Sequence, residues 1–168
     1  MPISKSLKAS PSSIKTLANR ETVQRQLWVD VMGGGEFIAK LNLSKNEVKR
    51  QEVILELIDT ERDYFHDLDT VRTLYIEPLK KLILPRDIAT IFANFEILLG
   101  ISSELLSSFE KRQSENMHIS SIGDLFLPVC DYLKMYSTYC GNHPNVHGKI
   151  ESIRQTKSIS KFIDVKIN

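Results

Sequence analysis

Apolar residues recur every three or four positions along most of this chain from Ser44 onward. In the clearest stretch, residues 49–78, one face of an ideal helix carries Ile54, Leu57, Ile58, Phe65, Leu68, Tyr75 and Ile76. Ser44 followed by Glu47 has the spacing of a capping box, and the ring of Pro78 is not tolerated deep inside a helix. The pattern predicts one long helix that begins near Ser44 and ends near Pro78.

Three more helices are predicted downstream, at residues 86–111, 121–139 and 145–163. Gly100 is expected to weaken the first of them, because glycine is a poor helix former. Pro128 is expected to start a turn or a kink in the second. No stretch of useful length alternates between apolar and polar residues with the period of a strand. The predicted fold class is therefore all-α, an elongated bundle of antiparallel helices joined by short links.

The first 43 residues follow a different pattern. Residues 1–20 are rich in serine and carry four basic residues and no acid, which predicts a disordered basic arm. A mitochondrial transit segment has a similar composition and stays open as an alternative. Residues 21–43 predict a short amphipathic helix and a glycine-rich linker, since the glycines at 33–35 cost too much backbone entropy to continue a helix. The predicted apolar face of that helix is Val23, Leu27 and Val31, with Trp28 beside them. Residues 44–168 form the main helical domain.

A carboxylate interrupts the apolar face of the long helix. Glu61 falls near the centre of that face. Removing a lone carboxylate from water costs several kcal/mol or forces it to take up a proton, so such a position needs a partner. Two interpretations stay open. Either Glu61 pairs inside the fold or sits at a solvent gap in the packing, or this part of the face is covered by another protein.

Several residues around Glu61 form a pattern of their own: Arg50-Gln51-Glu52, Glu56-Leu57, Thr60-Glu61, Tyr64 and Asp67-Leu68. This pattern resembles the first conserved region of the Dbl-homology domain, the catalytic module of guanine-nucleotide exchange factors for Rho-type GTPases. In that family the glutamate of the Thr-Glu pair reaches the switch I segment of the GTPase. The resemblance therefore implies that Glu61 binds the GTPase.

The resemblance continues downstream in the segments 122–127, 132–134 and 136–140. They are similar to the second conserved region of the family, in which aromatic residues pack the bundle. This implies core positions for Tyr132, Tyr136 and Tyr139. A full domain of this kind continues past the position of Phe162 into a third conserved region, so residues 44–168 are expected to be a partial domain. Uncovered apolar surface would then favour self-association, which light scattering can test.

The resemblance implies a function and a partner. The chain is expected to be an exchange factor that promotes GDP release from a Rho-type small GTPase, as an N-terminal fragment of the catalytic domain. Such a protein regulates another protein, performs no covalent catalysis and needs no cofactor. The alternative is an inactive helical scaffold, an interaction remnant that keeps the bundle without exchange activity.

Composition limits the other classes of function. The net charge of +1 provides no bulk field that favours nucleic acid. No apolar run is long enough for a membrane span or a secretory signal, so no stable membrane insertion is expected. Two cysteines favour a reducing interior, and we expect a cytoplasmic protein, with recruitment to the membrane periphery left open. A zinc site has a tempting spacing but little support, and no metal is expected. Its residues would be Cys130, Cys140, His143 and His147.

Overall fold

The structure, a computed structural model, describes residues 25–167, so the predicted basic arm at residues 1–20 lies outside it. Within the described range the chain forms helices and turns and no strand, which confirms the all-α prediction. The α-helices are α1 (Trp28–Val31), α2 (Gly35–Lys40), α3 (Lys45–Val71), α4 (Glu77–Leu79), α5 (Pro85–Phe92), α6 (Phe95–Glu115), α7 (Cys130–Leu133), α8 (Met135–Arg154) and α9 (Lys157–Ile167). A π-helical segment (Arg72–Ile76) joins α3 to α4, and a 3-10 turn (Gly123–Phe126) precedes α7.

The long helix has the predicted start and end. The Ser44 hydroxyl accepts a hydrogen bond from the backbone N of Glu47 at 3.1 Å, which caps α3. Beyond Val71 the helical path widens into the π-helical segment and then closes again in α4, which contains Pro78. The capping box and Pro78 therefore located both ends, although the sequence contained no sign of the π-helical segment.

The predicted second helix is two helices, α5 and α6, which meet at an angle of 56°. The break lies at Ala93, whose φ of +46° is unfavourable for an L-residue with a side chain. Next to it, the side-chain amide of Asn94 donates to the backbone O of Met135 at 2.9 Å, which ties the break to α8. Gly100, the weak point expected from the sequence, lies inside an unbroken α6.

The last two predicted helices are also divided differently. Pro128 lies in a turn, as predicted, between the 3-10 turn and α7. The sequence placed a break between residues 139 and 145, but α8 continues through Pro144 as far as Arg154. A short break follows at Gln155 and Thr156, and α9 then folds back onto α8.

The main core lies between α3 and α6, which pack against each other along much of their length. Its buried residues are Ile54, Ile58, Leu98, Ile101, Leu105, Phe109, Ile119 and Val129. Ile54 and Ile58 belong to the predicted apolar face of the long helix. Fully burying such a side chain stabilises the fold by about 1.5–3 kcal/mol, so this cluster is a major source of stability. Two smaller clusters bury Leu68 and Ile76 against Phe95, and residues of α5 against α8 and α9.

Helix α1 packs on α3 through a different face from the predicted one. Trp28 is 2% exposed, whereas Leu27 and Val31 are 59% and 39% exposed. The predicted apolar face at Leu27 and Val31 is therefore wrong, and Val23 lies outside the described residues. The indole of Trp28 is larger than either aliphatic side chain, and its Nε1 donates to the backbone O of Met117 at 2.8 Å. Burial of the ring with its polar atom satisfied decides the orientation of α1.

The segment predicted as a linker is packed against the bundle. Gly33 and Gly34 have φ values of 100° and 90°, which end α1 as predicted, but α2 begins immediately afterwards at Gly35. Ile38 of α2 is buried together with Trp28 and Leu55. Residues 25–40 therefore belong to the folded body rather than to a connection that leads into it.

Within residues 25–167, no single helix has the length and hydropathy of a membrane span; α5 and α6 meet that test only as a bent pair.

Candidate functional site

Glu61 lies in the middle of α3, and its side chain is half-buried against α6. Its Oε1 accepts a hydrogen bond of 2.5 Å from the hydroxyl of Ser102, which is itself 1% exposed. Among residues 25–167, no cation forms a salt bridge with Glu61. The structure thus supplies an internal partner, but this partner is a neutral hydroxyl rather than a counter-ion.

A tyrosine lies beside this carboxylate. Tyr64, one helical turn after Glu61, lies near Tyr136 of α8. Burial raises the pKa of the Tyr64 hydroxyl, the nearby Tyr136 raises it further, and the charge of Glu61 acts in the same direction. Tyr64 therefore stays neutral at physiological pH. The site therefore combines Glu61 and Tyr64 of α3 with Ser102 of α6, and Tyr64 connects it to α8.

The tyrosines of the second conserved region do not share one environment. Tyr136 is half-buried and packs against the main core, as the resemblance implied. Tyr132 is 56% exposed, so its predicted core position is wrong. Tyr139 is at the border, 37% exposed, with its ring 6.2 Å from that of Phe95. A break at Lys134 separates Tyr132 in α7 from Tyr136 and Tyr139 in α8, so a single helical register does not carry all three rings into the core.

The two residues on either side of Glu61 in the sequence form contacts within the protein. Thr60 is exposed, and its hydroxyl donates back to the carbonyl of Glu56 at 2.9 Å. Arg62 forms ion pairs with Asp59 and Glu110 at 2.5 and 3.0 Å. Neither side chain contacts the Glu61 carboxylate, so Glu61 is set apart from its neighbours in sequence.

The start of the first conserved region is structural. Arg50 pairs with Glu47 at 2.7 Å and donates to the backbone O of Ile119 at 2.8 Å. The carboxylate of Glu52 accepts hydrogen bonds from the backbone N of Trp28 at 2.6 Å and of Val29 at 3.2 Å. A carboxylate in this position satisfies the open N–H groups at the start of α1 and stabilises its positive end. These side chains hold the protein together rather than facing a partner.

Ser102 is the site residue that the sequence analysis missed. It lies between Leu98 and Leu105 at helical spacing, so it is a polar residue within an apolar face, like Glu61. That signal was present in the sequence. What the sequence could not show is that the two polar interruptions, 41 positions apart, lie opposite each other in the packed helices.

The structure does not assemble the residues of the zinc alternative. Cys130 and Cys140 are free and exposed. In the described part of the chain, no group of three or more His, Cys, Asp and Glu side chains is arranged to hold a metal ion.

Comparison with known proteins identifies the family. A family model described as the RhoGEF domain matches residues 53–166. The chain belongs to this family. The RhoGEF family consists of regulators of small GTPases. The resemblance to the Dbl-homology domain is therefore confirmed, and the part of the long helix that carries Glu61 lies within the matched region.

Several relatives carry the same region. The chain is 42% identical to the myosin-M heavy chain of Dictyostelium discoideum over 103 residues, which cover 60% of the chain and 6% of that protein. It is 32% identical to Rho guanine nucleotide exchange factor 38 of Mus musculus over 118 residues, 68% of the chain and 15% of that protein. It is 33% identical to Rho guanine nucleotide exchange factor 4 of Homo sapiens over 129 residues, 74% of the chain and 18% of that protein. The matched RhoGEF region is thus a small part of each of these relatives.

Proposed function

We propose that this RhoGEF domain binds a Rho-family GTPase and promotes GDP release, with Glu61 at the contact. The observation that carries the proposal is a half-buried carboxylate on α3 that a hydroxyl holds and no described cation neutralises. A carboxylate with an internal counter-ion would already have its charge compensated. Glu61 keeps its charge available for a donor from another protein.

The proposed action requires only differential binding. A partner that binds the nucleotide-free GTPase more tightly than the GDP-bound form shifts the equilibrium towards GDP release, and nucleotide binding weakens the complex by the same factor. Glu61 contributes a charge-assisted hydrogen bond to the switch I segment, following the resemblance that assigned it. No covalent step takes place on this chain, and no cofactor takes part.

A scaffold without exchange activity is the second candidate. It is favoured by the internal use of Arg50 and Glu52, which shows that part of the first conserved region serves the fold alone. The two candidates differ in one respect. A scaffold needs no accessible charge at Glu61, whereas an exchange factor does.

The test compares the wild-type chain with Glu61→Ala. Affinity for nucleotide-free Rho-family GTPases is measured by biolayer interferometry, and release of fluorescent GDP is measured on the same proteins. We expect Glu61→Ala to weaken binding about tenfold or more, because a charge-assisted contact at an interface centre is lost. Glu104→Ala removes an exposed carboxylate of α6 and serves as the matched control with unchanged binding.

Thermal unfolding of the same variants separates a contact from a fold effect. Glu61→Ala should lower the free energy of unfolding by at most about 1 kcal/mol, because Ser102 can turn its hydroxyl to a carbonyl of its own helix. An early-melting variant, or one that binds and exchanges like the wild type, would show the assignment of Glu61 to be wrong. If the wild-type chain binds the GTPase but releases no GDP, the result would favour the scaffold.

A further inference from the structure

Ser102 uses its hydroxyl differently from other hydroxyl residues on these helices. Thr60, Thr90 and Ser114 donate back to a carbonyl of their own helix, at 2.9, 2.9 and 2.7 Å. That is the usual arrangement for Ser and Thr inside a helix. Ser102 instead donates across the α3–α6 interface to Glu61 at 2.5 Å. The hydroxyl is directed to the carboxylate although a carbonyl of its own helix is the ordinary acceptor.

The position of Ser102 makes this hydrogen bond consequential. The residue is 1% exposed, and its neighbours Ile101 and Leu105 belong to the main core. Buried polar groups are tolerated where they are hydrogen-bonded, and this bond is at the short end for a hydroxyl on a carboxylate. Because the backbone of α6 is held by that core, the hydroxyl gives Glu61 a rigid anchor rather than a mobile one.

No second described side chain competes for this role. Tyr64 lies near enough for the charge of Glu61 to affect its pKa, but in the described part of the chain no hydrogen bond joins its hydroxyl to Glu61. Arg62 is directed to Asp59 and Glu110. Within residues 25–167, Ser102 therefore supplies the hydrogen bond that orients the Glu61 carboxylate.

We propose that Ser102 is a positioning residue for GTPase binding: its hydroxyl holds Oε1 of Glu61, so that the other carboxylate oxygen is presented to the GTPase in one orientation. This inference rests on the proposed function of Glu61. A pre-oriented side chain loses less conformational freedom on binding, so the hydrogen bond raises affinity without itself touching the partner.

The decisive experiment is a double-mutant cycle on the affinity for a nucleotide-free Rho-family GTPase. Ser102→Ala is expected to weaken binding about tenfold in the wild-type background and to have no further effect in the Glu61→Ala background. Ser102→Thr keeps the hydroxyl and should recover most of the affinity. Ser103→Ala, on the exposed side of the same helix, is the matched control with wild-type affinity.

Each outcome has a distinct meaning. If Ser102→Ala weakens binding equally in both backgrounds, the substitution acts through the fold, and the positioning role is overturned. The role is also overturned if Ser102→Ala binds like the wild type while Glu61→Ala does not. If Glu61→Ala itself binds normally, the proposed function fails together with the inference that rests on it. Melting temperatures of all variants show whether loss of the Ser102 hydroxyl also destabilises the core.

Discussion

Gln51 and the backbone of Ile119 form two reciprocal hydrogen bonds in the interior of the protein. The side-chain Nε2 of Gln51 donates to the backbone O of Ile119 at 2.8 Å, and the backbone N of Ile119 donates to Oε1 of Gln51 at 3.0 Å. Gln51 is 1% exposed. One amide side chain thus bonds both backbone polar groups of Ile119 in the segment after α6, and it ties that segment to α3.

Truncation of this side chain should be costly. Gln51→Ala leaves the buried N–H of Ile119 without its partner, whereas the C=O of Ile119 keeps its hydrogen bond from Arg50. An unsatisfied buried group costs about 1–3 kcal/mol. We expect the free energy of unfolding to fall by about 1–3 kcal/mol in urea titrations. Gln155→Ala, at an exposed residue after α8, should change it by less than about 0.5 kcal/mol. Equal stability of the two variants would contradict the structural role of Gln51.

The packing of Trp28 predicts that the segment before the long helix stabilises the domain. Trp28→Ala empties a buried site on α3 and should cost about 3–5 kcal/mol of unfolding free energy. Trp28→Phe keeps most of the apolar contact but loses the hydrogen bond to Met117, so its cost should be smaller. Leu27→Ala changes a side chain that is 59% exposed and should be nearly neutral. Thermal unfolding measures the stability of all three variants. A larger loss of stability in Leu27→Ala than in Trp28→Ala would support the apolar face predicted from the sequence.

The break at Ala93 predicts a stabilising substitution. Its positive φ suits glycine better than alanine, so Ala93→Gly should raise the free energy of unfolding by about 1 kcal/mol. Ala89→Gly, at an exposed position inside α5, should lower it by about 1 kcal/mol, since glycine is the poorer helix former there. Opposite signs for the same chemical change are the expected result. A loss of stability in both variants would argue against the positive φ at Ala93.

Glu47 predicts a specific response to acid. Hydrogen bonds from Arg50, and then from Gln51 and His118, hold the pKa of Glu47 well below its ordinary value of 4.5. Because the pKa is lower in the folded state, Glu47 stabilises the fold at pH values above its ordinary pKa. This stabilisation is lost as the pH falls towards and through the pKa of the folded state.

Melting temperatures at a series of pH values between about 7 and 3 test this linkage. Glu47→Gln should be less stable than the wild type at neutral pH and should lose less stability on acidification. Glu36→Gln, at an exposed residue of α2, should follow the wild-type profile. An unchanged acid response in Glu47→Gln would refute the link between this carboxylate and the pH dependence.

Local patterns in the amino-acid order were enough for several features of this protein. The helical class, the cap at Ser44 and the end near Pro78 follow from periodicity and from the chemistry of single residues. The anomaly at Glu61 also follows from its place on an apolar face. Each of these properties depends on residues within a few helical turns of one another, and so the sequence contains them directly.

Other features depend on contacts between distant segments. Ala93 takes its unfavourable conformation beside a hydrogen bond between Asn94 and α8, and periodicity predicted one unbroken helix there. Trp28 is buried instead of Leu27 because a site between α3 and the backbone of Met117 accepts an indole. The Ser102 hydroxyl reaches Glu61 because α3 and α6 pack side by side. A helical repeat gives the face on which a residue lies, but the side chain it meets there is set by how the helices pack, which is a property of the whole chain.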